Sequence, residues 1–504
     1  MSQISVSHLT FAYDGSYDDI FTDVAFQIDT DWKLGFCGRN GRGKTTFLKL
    51  LMGQYEYRGA ISASVDFEYF PFPIADKSHA TIDILSSIVP DVSLWQVQRE
   101  LSKLAVDEDA LYRPFETLSN GERTKVLLAG LFLRENSFLL IDEPTNHLDR
   151  EARETVARYL NGKAGYILVS HDRAFLDACV DHILSINRAD IEVISGNFTV
   201  WWEQKKRRDA WELSRNEQLA QEIVRLREAA VQTARWSDKV EKSKNKPLKS
   251  GLSADKGYIG HKAAKMMKRS KHTEKRRDEA VLEKTKLLKN IEENASDLKI
   301  QPLSYHASCL LSLENVSVSY DGREVFRDLS FSLERGERIA LRGGNGAGKS
   351  SVVRLLVGEA IAHTGRVFVG SRLIISTAPQ DASFLSGYPS AFAREQGIDE
   401  TLFFGILRKL GFSRTQFDLD MRDFSAGQKK KALIARSLCQ RAHVYIWDEP
   451  LNYIDVLSRI QIEELILAFK PTLLFVEHDQ AFCDNIATKS VIINKGVAAN
   501  SDTA

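Results

Sequence analysis

The chain has 504 residues, 43% hydrophobic and 27% charged, with 68 Lys+Arg balancing 68 Asp+Glu. That length exceeds a single compact core and implies several domains, while the composition excludes disordered or collagen-like protein. No run of about eighteen apolar residues is present, so no spanning helix is expected, and residues 1–5 lack signal-peptide character.

In chain order, a strand-like run, Lys33-Leu34-Gly35-Phe36, leads into Gly38-Arg39-Asn40-Gly41-Arg42-Gly43-Lys44-Thr45 and then a helical stretch. This GxxxxGK[ST] pattern places glycines where backbone N–H groups close around phosphates at the positive end of a helix. Gly38, Asn40, Gly41, Gly43 and Thr46 would line the phosphates, Lys44 would reach the β/γ-phosphates, and the Thr45 hydroxyl would ligate Mg²⁺. Leu118-Ser119-Asn120-Gly121-Glu122 is a glycine-containing turn before a helix, a second N-terminal anion site. The apolar run Phe138-Leu139-Leu140-Ile141 suits a strand buried on both faces of a parallel sheet. It delivers Asp142 and Glu143 at its C-terminal end, the Asp to orient Mg²⁺ and the Glu to polarise the attacking water. Tyr166-Ile167-Leu168-Val169 does the same for His171, 29 residues after Asp142 and placed to contact the γ-phosphate. The cysteines (Cys37, Cys179, Cys309, Cys439, Cys483) are scattered without metal-ligand spacing and are expected as buried thiols.

The middle of the chain differs. Residues 201–290 carry 25 Lys+Arg against 13 Asp+Glu, and residues 242–277 carry 13 against two, the concentrated positive charge a polyanion partner requires. Residues 202–239 and 261–294 hold no Pro or Gly. Leu219, Ile223, Leu226 and Ala230 follow a coiled-coil spacing, with Val281, Leu288 and Ile291 as a candidate facing stripe. Pro247, Gly251, Gly257 and Gly260 cluster between them. An antiparallel helical hairpin with its tip near 244–258 is predicted, with a first arm of about 40 residues, roughly 60 Å long.

The first pattern then returns. Arg338-Ile339-Ala340-Leu341 precedes Gly343-Gly344-Asn345-Gly346-Ala347-Gly348-Lys349-Ser350. Phe424-Ser425-Ala426-Gly427-Gln428 is the second turn. Val444-Tyr445-Ile446-Trp447 leads to Asp448-Glu449, and Leu473-Leu474-Phe475-Val476 leads to His478. From the first loop glycine to the Asp-Glu pair is 104 residues in one copy and 105 in the other, and Ser119–Asp142 and Ser425–Asp448 are both 23. The chain is therefore read as two copies of one α/β domain. Gly343, Asn345, Gly346, Gly348, Lys349 and Ser351 line the second phosphate site, Ser350 and Asp448 take Mg²⁺, and Glu449 and His478 serve hydrolysis.

Paired at this spacing, the two glycine turns resemble the signature of ABC ATPases. The resemblance implies two P-loop ABC nucleotide-binding domains, residues 1–198 and 303–504, joined by the basic helical hairpin of residues 199–302. It implies that each signature closes on the other copy's P-loop, pairing Lys44 with Ser425 and Gly427, and Lys349 with Ser119 and Gly121. It makes Tyr13 and Tyr320 the adenine-stacking aromatics and Gln380, in Ala378-Pro379-Gln380, a Q-loop glutamine that contacts Mg²⁺ and nucleotide. The first copy reads Phe70-Pro71-Phe72, with Phe72 where the glutamine belongs. The second reads Leu451-Asn452-Tyr453-Ile454-Asp455 where the first has Thr145-Asn146-His147-Leu148-Asp149.

Two such domains, no membrane segment and the basic hairpin resemble the ABC-F translation factors, and Gly196-Asn197-Phe198-Thr199 looks like that family's Gly-Asn-Tyr-Ser motif. Trp236-Ser237-Asp238-Lys239 and Gly257-Tyr258-Ile259-Gly260-His261-Lys262 resemble the linker of its Lsa/Vga-like antibiotic-resistance members. That resemblance implies a cytoplasmic, monomeric ATPase with intramolecular domain pairing and no obligate permease. Its partner would be the bacterial 70S ribosome at the E site, touching 23S rRNA and P-site tRNA and protecting the peptidyl transferase centre from lincosamides, streptogramins A and pleuromutilins. Lys242, Lys244, Lys246, Lys249, Lys262, Lys265, Lys268 and Arg269 would contact RNA phosphates, and Tyr258 a base or sugar. A housekeeping ABC-F factor, a DNA-directed tandem ABC ATPase and the ATPase of a separate permease remain the alternatives.

Overall fold

The computed structural model describes residues 3–13, 19–90, 92–146, 148–186, 191–242, 256–287, 302–320, 323–344, 346–493 and 498–501. Residues 1–199 and 294–504 form one compact unit and residues 200–293 another.

In the first unit each copy is built on a six-stranded sheet. In the first copy the order across the sheet is Asp66–Phe70, Ser137–Asp142, Tyr166–Val169, Lys33–Cys37, His182–Ile186 and Ile191–Ser195, parallel except for the last pair. The second copy repeats it with Ile375–Ala378, Val444–Asp448, Leu473–Val476, Arg338–Arg342, Lys489–Ile493 and Ala498–Ser501. The four apolar runs read from the sequence are all fully buried in these strands, as strands covered on both faces must be.

A three-stranded antiparallel sheet lies beside each main sheet: Phe21–Asp29, Gln3–Phe11 and Arg58–Ser62 in the first copy, Arg323–Glu334, Cys309–Tyr320 and His363–Val369 in the second. The helices Lys44–Leu51 and Lys349–Val357 open directly after the glycine loops. Phe47 is fully buried and meets Phe36 of the main sheet at 5.5 Å and Phe21 of the antiparallel sheet at 6.1 Å. The phosphate-loop helix is thus wedged between two sheets, which fixes its N-terminus.

Ser119 and Ser425 act as N-caps of the helices Asn120–Leu131 and Ala426–Cys439. Each accepts from the backbone N–H three residues on, while Glu122 and Gln428 reach back to the cap's own N–H. This reciprocal capping satisfies orphan donors at both helix starts.

The second unit holds two helices, Phe198–Lys242 and Lys256–Leu287. At 45 residues the first spans about 67 Å,. Leu219 and Ala280 are buried, and Arg276 lies 3.9 Å from Glu222, a register in which the helices run antiparallel. Two expectations need correction. Val281 is exposed, and the buried position is its neighbour Ala280. Gly257 and Gly260 are not breakers; they lie within the first turns of the second helix, where glycine costs only about 1 kcal/mol. Residues 243–255, with Lys244, Lys246 and Lys249, lie outside the described residues, as do Leu288 and Ile291. The side chains of Ala230, Lys242, Tyr258 and Lys262 do also. Among the described residues no helix is long and apolar enough to cross a membrane.

Candidate nucleotide sites

The first site lies where the two copies meet. A cavity of about 630 Å³ is lined by Tyr13, Asn40, Gly41, Gly43, Lys44, Thr45, Thr46, Tyr69, Asp142, Glu143 and His171 of the first copy. Ser425, Ala426, Gly427 and Tyr453 of the second complete it. The predicted partners Lys44 and Ser425 therefore share one cavity. Gly427 permits the approach: a Cβ there would lie 2.3 Å from the Tyr453 carbonyl and 2.9 Å from the Asn40 amide. That amide donates to the Tyr453 carbonyl at 2.7 Å, and the Asn40 backbone N–H points to Asp455 at 3.4 Å. Asp455 is buried, pairs with Lys431 at 2.7 Å and stays charged. Burial opposes its ionisation, but Lys431, Lys44 and Arg39 outweigh it.

Within the loop, Gly43 has φ +92°, and a Cβ would strike Ile20 at 2.6 Å; Gly348 repeats both features against Val325, so only glycine fits. Lys44 donates to the carbonyls of Gly38 at 2.7 Å and Arg39 at 3.2 Å, and Lys349 to those of Gly343 and Gly344. Burial lowers the pKa of both lysines. Tyr13 and Tyr320, each more than 40% exposed, anchor their hydroxyls on Thr46 at 2.8 Å and Ser351 at 3.2 Å, leaving ring surface free to stack.

The second site differs. Ser119 and Gly121 share a cavity of about 640 Å³ with Gln380, Glu449, Asn452 and His478 of the second copy. Lys349 is not among its lining residues, although the charge of Asp149, from the first copy, acts on Lys349. Asn345 and His147 lie outside the described residues.

The two candidate bases are in opposite states. Glu449 accepts from Gln380 at 2.7 Å and Asn452 at 2.7 Å, with His478 at 3.6 Å. His478 is the largest influence; against burial, it and the two amides bring the carboxyl down to about 2. Glu143 lies 3.3 Å from His171, but burial and the Asp142 charge push it up to about 8. Burial also depresses the His171 imidazole. Both glutamates adopt left-handed backbone, φ 51° and 46°, a strained conformation of the kind that collects at functional sites.

Thr45 donates to Asp142 at 3.2 Å, and Ser350 hydrogen-bonds Asp448. Asp448 Oδ1 is buried with no hydrogen-bond partner among the described residues. A hydroxyl, a carboxylate and an unsatisfied oxygen beside a P-loop lysine fit Mg²⁺, which takes one or two protein ligands and completes its shell with phosphates and water.

Tyr69 escaped the sequence reading: its hydroxyl donates to Asp142 at 2.9 Å. Burial and the Asp142 charge raise its pKa, so it remains a donor. Asn452 was read only as part of a motif, with no role, and Lys431 not at all; their positions within repeated motifs are the signal that would have found them.

The family model described as ABC transporter matches residues 21–146 and 326–452, half the chain, with both P-loops, both signature turns and both Asp-Glu pairs. The chain belongs to the ABC family. It is 27% identical to the ribosome protection protein VmlR of Bacillus subtilis, over 96% of this chain and 86% of that one. It is also 27% identical to the energy-dependent translational throttle protein EttA of Haemophilus influenzae, over 93% and 88%. Among solved structures, RNase-L Inhibitor superposes with a TM-score of 0.63 at 19% identity, covering 96% of this chain and 87% of that one. That likeness shows the tandem ABC fold. As an ABC ATPase the chain binds ATP and hydrolyses it to ADP and phosphate.

Proposed function

We propose that this ABC ATPase is an ABC-F protein, a cytoplasmic ribosome-binding protein that uses its basic hairpin to protect the peptidyl transferase centre from antibiotics of the lincosamide, streptogramin A and pleuromutilin type. The observation that carries the reading is the exposed cationic face of the second hairpin helix, where Lys265, Lys268 and Arg269 are all exposed. The full-length similarity to a ribosome protection protein supports it. In this reading the hairpin enters the E site of the bacterial 70S ribosome, with 23S rRNA and P-site tRNA as contacts. The protein works as a monomer without a permease, its two copies pairing within the chain.

In the ATPase cycle, each P-loop lysine holds β/γ-phosphate oxygens while the other copy's capped signature helix points its N-terminus at the same nucleotide. Thr45 with Asp142, and Ser350 with Asp448 and Gln380, would hold Mg²⁺, which would supply charge neutralisation on the phosphates. Glu449 accepts the proton of the attacking water, and Gln380 and Asn452 hold its carboxylate for that task. Glu143 holds the matching place in the first site and takes the proton only when ionised, the minor form at neutral pH because its pKa is pushed up to about 8, with His171 and His478 beside the transferred group.

The test is co-sedimentation with ribosomes in ATP at low salt. Glu143→Gln with Glu449→Gln keeps the shape but removes both bases, so this variant should pellet with ribosomes and slow growth. Lys44→Ala with Lys349→Ala should stay in the supernatant. A glutamate variant that stays in the supernatant overturns ribosome binding by the ATP-closed form. Unchanged drug susceptibility on expressing the wild-type chain overturns the protection role alone.

A further inference from the structure

The two copies solve one positioning problem with different residues. The strand Asp66–Phe70 pairs Tyr69 with Leu140, and the strand Ile375–Ala378 pairs Thr377 with Ile446. Leu140 and Ile446 each precede their copy's Asp by two residues, so Tyr69 and Thr377 occupy the same place. Three residues further on stand Phe72 and Gln380. In the second copy Gln380 reaches the acidic pair, bonding Glu449 at 2.7 Å, while Asp448 keeps one buried oxygen without a partner. In the first copy a phenylalanine cannot do this. There the Tyr69 hydroxyl reaches Asp142 at 2.9 Å, bonding the same oxygen that Thr45 approaches at 3.2 Å. Threonine at that strand position carries its hydroxyl beside the backbone, too short a lever for the same contact.

We propose that Tyr69 is a positioning residue of the first nucleotide site, its phenol holding the Asp142 carboxylate in the orientation that receives Mg²⁺, in place of the glutamine missing at Phe72. A side chain that hydrogen-bonds a metal-ligating carboxylate fixes its rotamer, and losing such a partner typically costs about 10–100-fold in metal affinity. The two acidic pairs are then held by different groups, a phenol in the sheet on Asp142 and an amide in a loop on Glu449. The first is insensitive to loop movement because the Tyr69 strand is paired along its length with the Asp142 strand. This inference rests on reading Lys44, Thr45 and Asp142 as a Mg²⁺·ATP site.

The experiment uses the full chain carrying Lys349→Ala to silence the second P-loop. Binding of a fluorescent ATP analogue is titrated with Mg²⁺ and repeated in EDTA. Tyr69→Phe removes one oxygen atom. It should raise the half-saturating Mg²⁺ concentration about tenfold or more while changing binding in EDTA by less than about twofold. A Mg²⁺ midpoint that does not move overturns the proposal, as does an equal loss with and without the ion. Lys44→Ala in the same background tests the underlying assignment separately. If analogue binding survives that change, the first site is misassigned whatever Tyr69 does.

Discussion

Glu477 is a buried carboxylate in a place where the first copy has Ser170. Ser170 is satisfied by Thr145 and the Asp172 backbone, whereas Glu477 Oε2 has no hydrogen-bond partner among the described residues. Burial pushes its pKa up to about 8. Asp479 and Glu449 add to the rise, and Arg459 and Arg153 only partly offset it. The folded protein therefore holds a proton that the unfolded chain releases near its ordinary value of 4.5. A raised carboxyl contributes its full stability below about 4.5 and loses it progressively as pH climbs through about 8,. Glu477→Gln keeps the shape and removes the titration. It should leave Tm unchanged at pH 5 and raise it at pH 8.5, with roughly 1 °C for each kcal/mol recovered in a unit of this size. Thermal scans at both pH values check this, and equal shifts at both refute it. Nothing in the sequence marks this carboxylate, because Val-Glu-His-Asp reads like Val-Ser-His-Asp until the burial is known. Tyr69 was hidden similarly: an aromatic in a strand reads as core, and its task emerges only when sheet pairing sets it beside Asp142. By contrast Lys44, Lys349 and the two Asp-Glu pairs were legible, because phosphate loops and strand-end acids need those residue types at those spacings.

At the scale of the element, the hairpin was legible in composition and periodicity but not in phase. Adjacent residues on a helix point about 100° apart, so composition cannot choose between neighbours, and Ala280, not Val281, is buried. The helix start was misplaced because two glycines read as a turn, although a long helix tolerates them near its end. The exposed cations yield a quantitative expectation. If Lys265, Lys268 and Arg269 each neutralise an RNA phosphate, replacing all three by Gln should lower the slope of log affinity against log salt by about 2. The affinities are measured by ribosome co-sedimentation across a salt series. An unchanged slope would place the RNA contact elsewhere. Leu219→Asp should splay the arms, since it puts a charge at a buried position; circular dichroism should report the lost helix and co-sedimentation the weaker ribosome binding.

For the whole molecule, the decisive contacts run between copies. Arg173 of the first bonds Glu463 of the second at 3.2 Å, and Arg153 donates to the His478 carbonyl at 3.2 Å. Both side chains of the Arg173–Glu463 pair are largely buried, so removing one partner leaves a charge stranded, at a cost of about 3–5 kcal/mol. Arg173→Ala should shift the chain toward separated copies and lower ATP turnover. Arg173→Met with Glu463→Met should recover most of it, because a well-packed apolar pair replaces the ion pair at little cost. Fluorescence energy transfer between labels on the two copies, read alongside ATPase rate, decides the matter. If the single and double variants behave alike, the pair does not hold the copies together.

The Asn40–Tyr453 contact has a consequence for how the protein is made. The first P-loop leaves the ribosome early, yet its cavity is walled by Ser425, Gly427 and Tyr453, which are translated near the end. At about 5–20 residues per second, roughly 20–80 s separate the two. During that interval the nascent chain has a phosphate loop but half a catalytic centre. A truncated product, or one cut within the hairpin and separated, is likewise left without a complete first site. The first cavity is thus complete only once the chain through Tyr453 has been made.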